Sequence, residues 1–217
     1  MFTFAANSHL DFPFFGQAKQ TSVALLYAIQ NMIQTSEPMT DNHKPNEFKV
    51  SAVFKVAAAA IFAALVAVAT LVFVVPIPAT SGYFNLGETF IYVAALLFGS
   101  FVGAAAGAGA TIADVLVAVQ FAPGTFTIKA IEGLLVGALN SKLKQKMNIT
   151  LSATIAVVVG GFEMVLGYFL YEQLVLGYPL AAAILEVPFN LVQMLIGLVI
   201  AVPVMHAVMR VFPQLKS

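Results

Sequence analysis

Residues 180–211 read LAAAILEVPFNLVQMLIGLVIAVPVMHAVMRV. A helix needs about 20 apolar residues to cross roughly 30 Å of hydrocarbon at 1.5 Å per residue, so this stretch is long and oily enough to span a bilayer. Its apolar character is broken by Glu186, Asn190 and Gln193 and, near the end, by His206 and Arg210. The first three stand at i, i+4 and i+7 and therefore project from one face within about 60°. Pro188, among them, lacks an amide donor and frees a carbonyl of the preceding turn, which must find another partner. Polar groups gathered on one face of a membrane helix turn away from lipid. An interhelical hydrogen-bond network would explain them plainly. The reading taken forward is ligand binding, because two carboxamides and a carboxylate match the donors and acceptors of a heterocycle.

The rest of the chain has the same character. Of its 217 residues, 60% are hydrophobic and 9% charged, and the formal net charge is zero. Soluble domains carry about 25% charged residues, and a neutral chain offers nucleic acid no electrostatic footprint. The absence of cysteine excludes disulfides and thiolate chemistry. His9, His43 and His206 are too scattered for a histidine metal site.

Residues 1–48 form a polar extension without the layout of a signal peptide. Within it, residues 21–33 could lie on a surface as a short amphipathic helix. Met39 offers a second start, with a short polar lead into the first span. Residues 49–217 form the membrane domain. Apolar runs predict six spans over 52–75, 86–98, 102–119, 126–143, 151–171 and 180–211. Lys44, Lys49 and Lys55 flank or open the first, Lys142, Lys144 and Lys146 separate the fourth from the fifth, and Arg210 and Lys216 close the last. The other connections lack lysine and arginine, so six spans put every basic cluster on one side and both termini in the cytoplasm. The expected fold is an all-α integral membrane protein, a six-transmembrane-helix bundle in the cell membrane.

Small residues recur four apart: Gly103 and Gly107, Gly133 and Gly137, Ala59 and Ala63, Ala60 and Ala64. Such ridges let helix backbones approach where lipid supplies no hydrophobic drive. Packing within the chain accounts for the glycine pairs. The alanine surface of the first span is broader than a small bundle needs and suggests a docked partner.

Each ionisable residue inside a membrane costs at least about 2.5–3.5 kcal/mol and is a functional candidate. The set is Glu88, Asp114, Lys129, Glu132, Glu163 and Glu186. Lys129 is the one cation among them; it pairs with Glu132 or Asp114, contacts a ligand, or both. Glu88 is a capping residue or a functional one. Tyr83, Phe84 and Asn85, beside Gly82, fit a lid with an aromatic wall over a pocket, with Tyr168 near the same level and Tyr171 in an interfacial belt. No HExxH, GxSxG or Walker A sequence is present, so no catalytic residue, metal or cofactor is expected and the chain does not read as an enzyme.

The run 83–88 (YFNLGE), the segment 103–114 ending in Ala113-Asp114, the run 122–133 (APGTFTIKAIEG) and the run 186–193 (EVPFNLVQ) resemble the substrate-binding S components of energy-coupling factor (ECF) vitamin transporters. The likeness covers about residues 50–212, keeps the motif order and is closest to the riboflavin- and hydroxymethylpyrimidine-type branch. It implies a six-helix subunit that binds its vitamin from outside, beneath the first loop. It also implies docking of the alanine face of span one (Ala59, Ala60, Ala63, Ala64) on a transmembrane subunit driven by two ATPases, and toppling to release ligand inside. The substrate-binding residues expected are Tyr83, Phe84, Asn85, Lys129, Glu132, Glu163, Tyr168, Glu186, Asn190 and Gln193. A pyrimidine or pyridine vitamin or precursor is the favoured ligand, riboflavin the next. The competing class is a proton-coupled secondary transporter, suggested by the intramembrane carboxylates.

Overall fold

The computed structural model describes residues 52–77, 80 and 82–216. The extension 1–48, with its stretch 21–33, Met39 and Lys44, lies outside the described residues, as does Lys49.

The alanine-rich run that opens the membrane domain forms α1 (Ala52–Val72). It ends as the chain approaches Pro76, whose ring cannot continue a helical ladder. Val75–Pro76 (β1) pairs antiparallel with Tyr83–Phe84 (β2), Val75 opposite Phe84 and Pro76 opposite Tyr83. This ribbon, unforeseen from the sequence, turns the first connection into a hairpin. Then come α2 (Gly87–Phe98), α3 (Ser100–Val117), α4 (Ala122–Leu143), α5 (Ile149–Leu174), α6 (Leu180–Val211) and a 3-10 turn (Pro213–Lys216). Among the described residues, the regular structure is helical apart from the hairpin.

Among the described residues, four helices, α1, α3, α5 and α6, are long and apolar enough to cross a membrane. The twelve residues of α2 cover only about 18 Å, and α4 carries Lys129, Glu132 and Lys142. The shortness of α2 suits its place at the centre. Ile91, Tyr92, Ala94 and Ala95 are fully enclosed, and only Phe90 and Phe98 are partly exposed. Gly99, at φ 85°, turns the chain from α2 into α3 within one residue, a backbone region that favours glycine.

The glycine ridges are spent inside the bundle. A methyl added at Gly103 would lie 2.4 Å from the carbonyl oxygen of Gly133, so α3 and α4 meet backbone to backbone. Gly109 of α3 meets the backbone of Ala63 on α1 in the same way. Meanwhile the outer surface is apolar: Val56, Ile61 and Val68 of α1, and Leu185, Leu195 and Val199 of α6, face outward. Glu88, Asp114, Lys129, Glu132 and Glu186 are buried within. That distribution suits a lipid solvent and is the reverse of a soluble bundle.

Candidate functional site

The polar face of α6 points inward. Glu186, Asn190 and Gln193 are all buried, whereas their neighbours Leu185, Phe189 and Val192 are exposed. Helical geometry sorts them, since a step of one residue rotates a side chain by about 100°. The three line a cavity of about 30 Å³ together with Gly82, Tyr83, Asn85, Asp114, Phe121, Lys129 and Tyr168. A smaller cavity of about 10 Å³ shares Tyr83, Asn85, Asp114, Lys129 and Tyr168 and extends toward Thr70, Glu88 and Thr125.

The first connection closes over this space through three hydrogen bonds. The Thr80 hydroxyl donates to Glu186 Oε1, the Tyr83 hydroxyl donates to Asp114 Oδ1, and the Asn85 amide donates to Gln193 Oε1 at 2.6 Å. Gln193 Nε2 in turn donates to Asn190 Oδ1 at 3.2 Å. Burial, reinforced by the Asp114 charge, pushes the Tyr83 phenol above its ordinary range and keeps it a donor. A Cβ at Gly82 would meet the Glu186 carboxylate, so the hairpin backbone lies directly against that side chain. Asp114 also accepts from Thr125 Oγ1, and Thr125 lies 2.8 Å from the Tyr168 hydroxyl.

The result is a polar cavity enclosed within an apolar bundle. Residues 50–210 match the family described as the ECF-type riboflavin transporter, S component. The chain belongs to this family. Its members are membrane transport subunits rather than enzymes, and their task is substrate binding in vitamin uptake. A Pyrococcus woesei protein, described as an uncharacterized protein in the gap 3′ region, is 36% identical over 136 residues, 62% of this chain and 88% of that protein.

In this S component, Lys129 is not bound to Asp114, one of the two partners anticipated from sequence. Its ammonium pairs with Glu88 and lies 3.7 Å from Glu132 Oε2, while Asp114 is occupied by Tyr83 and Thr125. The central position of α2 explains the difference, since it brings Glu88 in its first turn against α4. Tyr92 supports the pair by donating to Glu132 Oε1 at 2.7 Å. Lys129 also stands 5.3 Å from the Tyr168 ring centroid, a cation–π distance.

Among the residues expected to bind substrate, Tyr83, Asn85, Lys129, Tyr168, Glu186, Asn190 and Gln193 share the larger cavity. Phe84, Glu132 and Glu163 do not line it. Phe84 follows Tyr83 in a strand, where successive side chains leave opposite faces. Glu132 is held by Tyr92 and Lys129. Glu163 is half-buried on α5. Sequence reasoning missed Thr80, Phe121 and Thr125, whose residue types look ordinary in an apolar chain. It also missed Glu172, buried near the end of α5 and facing Glu186.

Packing divides the alanine face of α1 into two rows. Ala59 is buried and Ala63 packs against Gly109, so this row serves the bundle itself. Ala60 and Ala64, one residue around the helix, are exposed.

Proposed function

We propose that this S component captures a small water-soluble vitamin or vitamin precursor from outside the cell and delivers it to an ATP-driven ECF importer. In this reading the chain lies in the cytoplasmic membrane with six spans and both termini inside, in keeping with Lys142, Lys144 and Lys146 between α4 and α5 and Arg210 at the end of α6. The partners are an ECF transmembrane subunit and two ATPases, which supply the energy. The exposed row of Ala60 and Ala64 is the docking surface.

The observation that carries the reading is the convergence of Glu186, Asn190 and Gln193 with Asp114 and Lys129 on one cavity beneath the hairpin. A cavity of about 30 Å³ is far smaller than the 300–1,000 Å³ typical of ligand pockets. Capture therefore requires the hairpin to lift, releasing the Thr80, Tyr83 and Asn85 bonds. A pyrimidine or pyridine vitamin is the favoured guest, because a compact ring with amino and ring-nitrogen groups suits Glu186, Asn190 and Gln193. Riboflavin is the second choice, and it is the vitamin that the family description names.

Mass spectrometry of small molecules retained by the purified protein tests the assignment, with one stoichiometric vitamin expected. Uptake should require the ECF subunits and ATP and survive a protonophore while ATP is maintained. Uptake that collapses with the protonophore alone would reverse the conclusion in favour of a proton-coupled carrier, the reading suggested by the buried carboxylates.

A further inference from the structure

Charge is distributed unequally around the cavity. Among the described residues that line either cavity, Lys129 is the one basic group. Its ammonium is already paired with Glu88 and close to Glu132. Asp114 and Glu186 line the larger cavity without a basic partner, and the groups that hydrogen-bond to them carry no positive charge: the Tyr83 and Thr125 hydroxyls on Asp114, and on Glu186 the Thr80 hydroxyl and the carboxyl of Glu172. Two of those hydroxyls, from Tyr83 and Thr80, belong to the hairpin that must lift. Once it lifts, both carboxylates lose a donor in a site walled by buried protein, and an unmet buried acceptor is costly.

We propose that the guest replaces those hairpin hydroxyls with its own N–H or cationic donors at Asp114 and Glu186, and that the site therefore selects the free, non-anionic vitamin and rejects its phosphate ester. This inference rests on the vitamin-capture reading and adds the charge class of the substrate. A phosphate would enter a site with two facing carboxylates and a lysine whose charge is already matched. Like-charge juxtaposition in a desolvated interface costs several kcal/mol. Outright rejection by charge predicts a preference for the free form of roughly 100-fold or more.

The test uses the full chain in detergent and three pairs of probes: riboflavin and its 5′-phosphate, pyridoxine and its 5′-phosphate, and aminohydroxymethylpyrimidine and its phosphate. Affinities are measured by calorimetric titration for the wild type, Asp114→Asn and Glu186→Gln. These variants conserve shape and remove charge, so a purely steric exclusion of the ester would persist in them. The expected result is one free vitamin bound with its ester at least roughly 100-fold weaker, and a preference that shrinks about tenfold in at least one folded variant. Equal or tighter binding of the ester overturns the inference while leaving vitamin capture standing. A preference that stays unchanged in both variants also overturns it, because selection is then by size. Failure of every probe to bind wild-type protein with intact helical circular dichroism refutes capture of these vitamins and the inference with it.

Discussion

Substituting Gly107 by alanine probes the seam that places α3 against α4. The added methyl would lie 1.8 Å from the Lys129 carbonyl oxygen and 2.4 Å from its carbonyl carbon. Ordinary contact begins near 3.4 Å, so the two helices must part locally by about 1.6 Å. The obstacle is helix backbone, and no rotamer change relieves it. Overpacking typically costs about 1–3 kcal/mol, and a backbone clash belongs at the upper end, near 3 kcal/mol or roughly a hundredfold in the folding equilibrium. The clash falls on the peptide of Lys129 itself, so the displacement also pulls that ammonium from Glu88 and Glu132, and affinity should fall alongside stability. Thermal unfolding in detergent, followed by circular dichroism, and ligand titration measure the two effects. Gly177→Ala is the control: its φ is 67° and nothing lies within 4 Å of an added methyl. It should lose about 1–2 kcal/mol to backbone strain with affinity unchanged. A Gly107→Ala protein that matches wild type in both unfolding and binding would refute the close seam.

Other consequences are as direct. Gln193→Leu leaves the Asn85 amide without its acceptor, a loss of about 1–3 kcal/mol; stopped-flow binding should show faster ligand release, and unaltered kinetics would count against closure by the hairpin. Lys129→Met leaves Glu88 and Glu132 without their shared cation and should destabilise the protein by about 3–5 kcal/mol, with partial recovery on adding Glu88→Gln. Unfolding midpoints of the single and double variants decide this. Ala60→Phe or Ala64→Phe should abolish uptake in proteoliposomes containing the ECF subunits while ligand affinity in detergent stays intact; full uptake would dismiss that face as the docking surface.

Much of the helical layout is legible in one dimension. The predicted spans begin and end within a few residues of α1 to α6, because partition into lipid depends on the apolar content of a contiguous segment, which a sequence displays directly. The face shared by Glu186, Asn190 and Gln193 follows equally from helical periodicity. The hairpin β1–β2 was not visible, since two-residue strands carry no pattern to read. The two alanine rows of α1 look identical as text, and only packing shows that Ala59 and Ala63 face inward while Ala60 and Ala64 face out.

Sequence alone thus determined the solvent this chain is built for, its helical segments and the polar stripe on α6, all consequences of local composition and a 3.6-residue period. Tertiary structure decided which buried charges meet: Lys129 with Glu88 and Glu132, and Asp114 with Tyr83 and Thr125. The reason is geometric, because a pairing between helices depends on their relative depth and rotation. Those are set by backbone contacts such as Gly107 against Lys129 and Gly103 against Gly133, which local sequence pattern does not specify.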